Sequence, residues 1–142
     1  MLIQDVMTND VVQCGPDDTV AWAALLMRSW NVGCVVVTDA GLVKGILSDR
    51  DITIRCTAED IDSHRPVREC MTAPVGTASV GADALEVADL MASLHVRRMP
   101  VVEGGRLVGL VSLSDIEWGL LAPVHDILYL HASATGQRPI AA

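Results

Sequence analysis

The pattern Gly-apolar-apolar-Ser-x-x-Asp occurs twice, as Gly45 to Asp51 and as Gly109 to Asp115, 64 positions apart. Each copy follows an apolar run and opens a segment of helical character. A helix start presents unpaired backbone N–H groups and partial positive charge, which suit phosphate, and a serine hydroxyl there adds one more donor. An aspartate three residues on can accept hydrogen bonds from neighbouring ribose hydroxyls. Its charge would repel a phosphate, so Asp51 and Asp115 address the sugar while Ser48 and Ser112 address the phosphate. The same residues also spell a capping-box-like arrangement that serves only its own helix. One copy decides nothing between these readings. Two copies, each behind a glycine and the same upstream hairpin, favour binding, because a cap needs no shared upstream context.

The pattern belongs to a longer duplication. Met7-Thr8 returns as Met71-Thr72, Leu26-Met27 as Leu90-Met91 and Val32 as Val96, all at the same offset. Function therefore resides in a duplicated site. One catalytic centre needs one asymmetric set of residues, whereas two matched sites suit paired or symmetric ligands.

The elements that must hold these residues repeat as well. Val11 to Cys14 is short and apolar; Gly15-Pro16-Asp17-Asp18 then supplies a turn and a carboxylate to cap the next helix. Ala23, Leu26, Met27 and Trp30 share one helical face, as do Val87, Leu90, Met91 and Leu94. Both helices are expected to bury that face, the second starting from an acidic capping box of Asp83 and Glu86. Val35-Val36-Val37 and Met99-Pro100-Val101-Val102 read as strands. Each is followed by a glycine turn and a second strand, Leu42 to Leu47 or Leu107 to Val111. Pro100 lacks an N–H, so its strand starts there or lies at a sheet edge. Each unit reads β-α-β-β-α behind a small helical lead-in, Leu2 to Met7 or Val67 to Met71. The fold class is α/β, or α+β, with two such repeats packed about a pseudo-twofold axis. Repeat one spans 1–58, a polar linker 59–66, repeat two 67–121, and 122–142 forms a C-terminal helix and a frayed tail from Ser133.

Composition narrows the classes. With 142 residues, 51% hydrophobic and 20% charged, the chain is long enough for one shared core and unlike a disordered one. No apolar run approaches the roughly 18 residues that span a bilayer, and the first residues lack a secretory pattern, so a soluble, cytoplasmic protein is expected. A net charge of −8 opposes nucleic-acid binding. Cys14, Cys34, Cys56 and Cys70 contain no C-x-x-C pair, and His64, His95, His125 and His131 show no ligand spacing. Neither a disulfide framework nor a metal site is expected.

Val6-Met7-Thr8 and Cys70-Met71-Thr72 at the lead-ins, His95 to Val102 before the second hairpin, and the paired Gly-x-x-Ser-x-x-Asp endings together resemble the tandem CBS-domain pair. This is the Bateman module named after cystathionine β-synthase. The resemblance runs from about Leu2 to Leu121. It implies clefts between the halves that bind adenosine-containing ligands such as AMP, ADP, ATP or S-adenosylmethionine, with no cofactor required. It further implies ribose contacts from Asp51 and Asp115, and phosphate or ribose contacts from Ser48 and Ser112. Adenine would lie against Val35-Val36 and Met99-Pro100 through their backbones, the valine side chains themselves being core. Thr8, Val11, Thr72 and Val75 would line the same clefts.

The copies differ where charge matters. Repeat two carries Arg97, Arg98 and Pro100 where repeat one has Gly33, Cys34 and Val36. These arginines either pair with phosphate bidentately or form a solvated face. Arg50 can reach a phosphate across a cleft, and Asp49 either weakens anionic ligands there or pairs with Arg50. The side with Arg97, Arg98 and Pro100 is expected to bind more tightly. No nucleophile and base recur together and no Walker loop is present, so the expected role is a stand-alone, non-catalytic regulatory module. Its partners would be an adenosine ligand, a second copy in a disc-like homodimer, and a target protein. The competing readings are a ligand-free interaction protein acting through dimer surfaces, and a small cysteine-histidine enzyme.

Overall fold

A computed structural model describes residues 1–134. After a 3-10 turn at Ile3–Asp5 come β1 (Gln13–Cys14), α1 (Val20–Trp30), β2 (Cys34–Asp39), β3 (Leu42–Ser48) and the short helix α2 (Asp49–Asp51). A π-helical segment, Ile52–Thr57, continues α2. A second 3-10 turn, Val67–Glu69, precedes β4 (Ala78–Ser79), α3 (Ala84–Leu94), β5 (Arg98–Glu103), β6 (Arg106–Ser112) and α4 (Leu113–Ala134). The β-α-β-β-α reading of each repeat is confirmed. Strand order is β1-β2-β3-β6-β5-β4, with the two three-stranded halves meeting where Leu42 pairs with Arg106.

Within each half the first strand pairs parallel to the second, and the second and third form an antiparallel hairpin. The turns need left-handed backbone, which Gly41 (φ 80°) and Gly104-Gly105 (φ 56° and 78°) accommodate without a Cβ clash. Helices α1 and α3 bury Val20, Ala23 and Met27, or Ala84, Val87 and Met91, against the sheet. The expected stripe is only half right. Trp30, Leu90 and Leu94 are exposed, because the buried face follows i, i+3, i+7 from Val20 and Ala84, one helical turn before the first expected positions Ala23 and Val87.

Helix starts also differ from expectation. Thr19 caps α1 by accepting from the Trp22 N–H at 3.1 Å, while Asp18 closes the preceding turn on the Gly15 N–H at 2.7 Å. The next α1 donors are met from the linker, by the Arg65 and Ser63 carbonyls. Asp83 caps α3 through the Leu85 N–H, which holds its carboxyl below the usual range, but no reciprocal bond from the Glu86 side chain forms. Pro100 lies inside β5 rather than at its start or on an edge strand, turned toward the two-residue β4, whose pairing begins one residue later. Beyond Leu121 the expected C-terminal helix is not a separate element. Helix α4 continues through Pro123 to Ala134, so the tail expected from Ser133 is helical at its first two residues, and 135–142 lie outside the described residues.

The two cores exchange their lead-ins. Ile3 is fully buried among Val87, Met91, Met99 and Val111 of repeat two. Val67 and Cys70 are buried among Val20, Met27, Val35 and Leu47 of repeat one. Cys70 is also joined to Cys56 as a disulfide, so one cysteine pair exists where no disulfide framework was expected. The two are 14 positions apart, and only the exchange brings them together.

Backbone bridges lock the exchange. Thr8 and Leu110 trade N–H···O bonds of 2.8 and 2.9 Å, and Thr72 and Ile46 trade bonds of 2.9 and 3.1 Å. Gly45 and Gly109 lie directly under these crossings. A Cβ at Gly45 would fall 2.8 Å from the Thr72 carbonyl oxygen and 2.7 Å from Met71 Sδ; at Gly109 it would fall 3.1 Å from the Thr8 oxygen and 2.5 Å from Met7 Sδ. The glycine of the repeated pattern and the Met-Thr of the lead-in are thus two sides of one contact. Gly45→Ala and Gly109→Ala should each destabilise the fold by about 1–3 kcal/mol in urea titrations, the usual cost of overpacking. Gly81→Ala, with nothing within 4 Å of its Cβ position, should be neutral or slightly stabilising.

Candidate ligand-binding clefts

Each crossing of lead-in and hairpin opens a cleft built from both repeats. Cleft 1, about 390 Å³, sets Ile46, Ser48, Arg50 and Asp51 of repeat one against Thr72, Val75, Gly76 and Arg97 of repeat two. Cleft 2, about 240 Å³, sets Leu110, Ser112 and Asp115 against Thr8, Asp10, Val11 and Gly33. Most lining positions of one are those of the other shifted by 64. The pseudo-twofold relation therefore holds at the level of individual side chains.

Inside both clefts the Ser-x-x-Asp residues bond to each other first. Ser48 Oγ accepts from the Asp51 N–H at 3.1 Å, and Asp51 Oδ2 accepts from the Ser48 N–H at 2.9 Å. Ser112 and Asp115 repeat this at 3.1 and 2.7 Å, and the Ser112 hydroxyl also donates to Asp115 Oδ2 at 2.7 Å. The capping reading is realised in both copies. It does not exhaust the carboxylates, whose second oxygen remains directed elsewhere. Asp51 Oδ1 lies 3.5 Å from Arg55, whose Nη1 donates to the Cys70 carbonyl at 3.0 Å and to Thr72 Oγ1 at 3.1 Å. Arg55 thereby ties the Asp51 helix to the opposite wall of cleft 1. Its repeat-two counterpart is Gly119, so cleft 2 lacks this tie.

Eleven of the expected residues line a cleft: Ser48, Asp51, Arg50, Thr72, Val75, Arg97 and Arg98 in the first, and Ser112, Asp115, Thr8 and Val11 in the second. Arg98 belongs to both. Val35, Val36, Met99 and Pro100 do not reach either; they are buried in the sheet. The Val36 N–H is moreover bonded to the Val12 carbonyl at 3.0 Å, because β2 has a neighbour on each side. Pro100 cannot make the matching bond to Gly76. The residues just before β1 and β4, Val11-Val12 and Val75-Gly76, take the lining role instead. Cys34, Ile46, Leu110, Pro74 and Asp10 were missed. The 64-residue map relates Ile46 to Leu110, Asp10 to Pro74 and Cys34 to Arg98, but apolar and turn residues carry no chemical signal of their own.

The electrostatics of the two clefts are opposed. Cleft 1 gathers Arg50, Arg97 and Arg98 around the single carboxylate of Asp51, while cleft 2 has Arg98 alone with Asp10 and Asp115. None of these three arginines has an ion pair among the described residues, whereas Arg55, Arg65 and Arg68 are each paired. Burial is the main cause that pushes the Cys34 thiol upward, with Asp49 and Asp51 adding to it and Arg98 opposing, so this thiol is protonated at neutral pH. Cys14, buried beside Asp18, is pushed up to about 11. Among the described residues no three His, Cys, Asp or Glu side chains gather to hold a metal ion, and no helix is long and apolar enough to cross a membrane.

Two clefts, each completed by the opposite copy of a duplicated unit, define a paired domain. The family model for the CBS domain matches twice, over residues 3–56 and 67–117, and the chain belongs to that family. It is 38% identical over 114 residues to the CBS domain-containing protein YhcV of Bacillus subtilis, covering 80% of this chain and 81% of the relative. A CBS-domain containing protein of Agrobacterium tumefaciens superposes with a TM-score of 0.76 at 30% identity, over 84% of this chain and 99% of that one. The CBS domain pair of protein MJ0100, solved with 5'-methylthioadenosine and S-adenosyl-L-methionine, has a TM-score of 0.78 at 24% identity. It covers 87% of this chain and 98% of that one, and at that identity it bears on the fold alone.

The double duty of the aspartates has a measurable consequence. Asp51→Ala and Asp115→Ala should each lower stability by about 0.5–2 kcal/mol in the absence of any ligand, as loss of a helix cap does. Asp51→Asn and Asp115→Asn keep an acceptor for the serine N–H and should recover most of that loss in thermal or urea melts.

Proposed function

We propose that this chain is a regulatory module that binds adenosine-containing ligands between its repeats and does not chemically convert them. The observation that carries this reading is the convergence of three unpaired arginines, Arg50, Arg97 and Arg98, on cleft 1 of a protein with net charge −8. Unpaired cations are costly to hold together, and a phosphate satisfies them with charge-assisted bonds. Ser48 adds a hydroxyl and Asp51 Oδ1 an acceptor for ribose, while Val75, Val96 and Ile46 supply apolar walls for a base. AMP, ADP or ATP therefore suits cleft 1. The carboxylates of cleft 2 suit an uncharged nucleoside or the sulfonium of S-adenosylmethionine better. That the fold can house adenosine compounds is seen in the MJ0100 domain pair.

A second reading, a ligand-free interaction protein, draws support from the capping boxes, which already satisfy Ser48, Asp51, Ser112 and Asp115 within their own helices. Both readings share a homodimer. Trp22, Leu25 and Trp30 are exposed on α1, an apolar surface suited to a second copy or a target protein.

Isothermal titration with AMP, ATP, S-adenosylmethionine and NADH decides between them. AMP or ATP should bind with an affinity that falls as salt rises, and Arg50→Ala and Arg97→Ala should each weaken it by about 10-fold or more, the value of a charged hydrogen bond. Folded protein that binds none of the four ligands would establish the interaction-only reading instead.

A further inference from the structure

We propose that Arg98 is shared between the two clefts, so that an anion bound in cleft 1 weakens anion binding in cleft 2. The inference rests on the adenosine-binding reading above and adds to it a coupling between the sites. Its basis is position. Arg98 and its repeat counterpart Cys34 each line both clefts, and so stand on the boundary around which the two repeats are related. One of this pair is a cation and the other a neutral, buried thiol. The boundary therefore carries a single positive charge for two sites.

Three further features let that charge move. Arg98 is exposed and has no hydrogen bond or ion pair from its side chain among the described residues, so no protein partner holds it to one side. Repeat one has Gly33 where repeat two has Arg97, and this leaves space into which the Arg98 guanidinium extends. A Cβ at Gly33 would lie 3.7 Å from Arg98 Nη2 and 3.6 Å from the Asp49 carboxylate. A guanidinium drawn to one phosphate bidentately is turned toward that cleft with its charge compensated, and serves a second anion more weakly.

The clefts depend on Arg98 unequally. Cleft 1 has Arg50 and Arg97 besides, whereas among the described residues Arg98 is the one arginine or lysine lining cleft 2, beside Asp10 and Asp115. An anion in cleft 1 withdraws Arg98 and leaves cleft 2 lined by carboxylates. Anions are then disfavoured there, while an uncharged adenosine is indifferent to the loss. Filling cleft 1 with a nucleotide thus sets cleft 2 to select uncharged or cationic ligands.

Amide NMR titrations separate the two clefts, because Gly76 lines cleft 1 and not cleft 2, and Val11 lines cleft 2 and not cleft 1. AMP should saturate the Gly76 signal at a concentration about 10-fold or more below that for Val11. In the Arg50→Ala/Arg97→Ala double variant the Gly76 response to AMP should be lost and the Val11 response should tighten by roughly 10-fold. Removing two cations by itself weakens anion binding, so that tightening can come only from release of Arg98. Adenosine should titrate Val11 equally in both proteins. A Val11 affinity for AMP that is unchanged or weaker in the double variant, while Gly76 responds normally in the wild type, would show that the clefts are independent and overturn the coupling. If neither amide responds to AMP or adenosine in folded wild-type protein, the adenosine-binding reading fails and the coupling fails with it.

Discussion

The close backbone crossing between each Met-Thr lead-in and the opposite hairpin is the contact on which the rest of the structure depends. At Thr8 with Leu110, and at Thr72 with Ile46, two short chains trade a pair of hydrogen bonds across repeats. Such an approach leaves no room for a Cβ beneath it, so the facing residue must be glycine. The crossing commits Ile3 and Val67 to foreign cores, where both are fully buried. Neither repeat can keep a complete core without the other's lead-in, and the two fold as one body. Each cleft opens beside such a crossing and takes its walls from both copies for the same reason.

A pseudo-symmetric backbone need not carry symmetric chemistry. The crossings, caps and strand pairings recur almost bond for bond at the 64-residue offset, while the cleft side chains diverge. Arg97 faces Gly33 in this comparison, Arg98 faces Cys34, and Pro74 faces Asp10. The repeated geometry preserves the shape of the cleft and the placement of its Ser and Asp. The divergent charges make the two clefts electrostatically unequal, because three arginines line cleft 1 and one lines cleft 2 among the described residues.

The Ser-x-x-Asp pairs cap their helices without using every acceptor of their carboxylates. A carboxylate has two oxygens and about four acceptor sites. Using one oxygen on the serine N–H fixes the rotamer of Asp51 or Asp115 and aims the other, so the cap pre-organises the group for a ligand. Arg55 extends this in cleft 1 by joining Asp51, the Cys70 carbonyl and Thr72. That link spans residues far apart in the chain, and nothing in the local pattern around Arg55 distinguishes it from a surface arginine.

Much of the architecture was legible in the chain itself, since the strand-helix-hairpin order, the turns at Gly41 and Gly104-Gly105, and the paired Ser and Asp all reflect local periodicity and backbone preference. Local pattern failed where a neighbour supplied the answer. Thr19 rather than Asp18 caps α1, Trp30 stays exposed, and Val35, Val36, Met99 and Pro100 are enclosed by strands on both sides. The pairing of Cys56 with Cys70 likewise required the lead-in exchange. The sequence by itself determined that there are two equivalent units and which polar groups each presents, because repetition and short-range spacing are written along the chain. Only the tertiary structure decided that each site is completed by the opposite unit and that Arg98 stands between both, because those contacts depend on how two backbones cross.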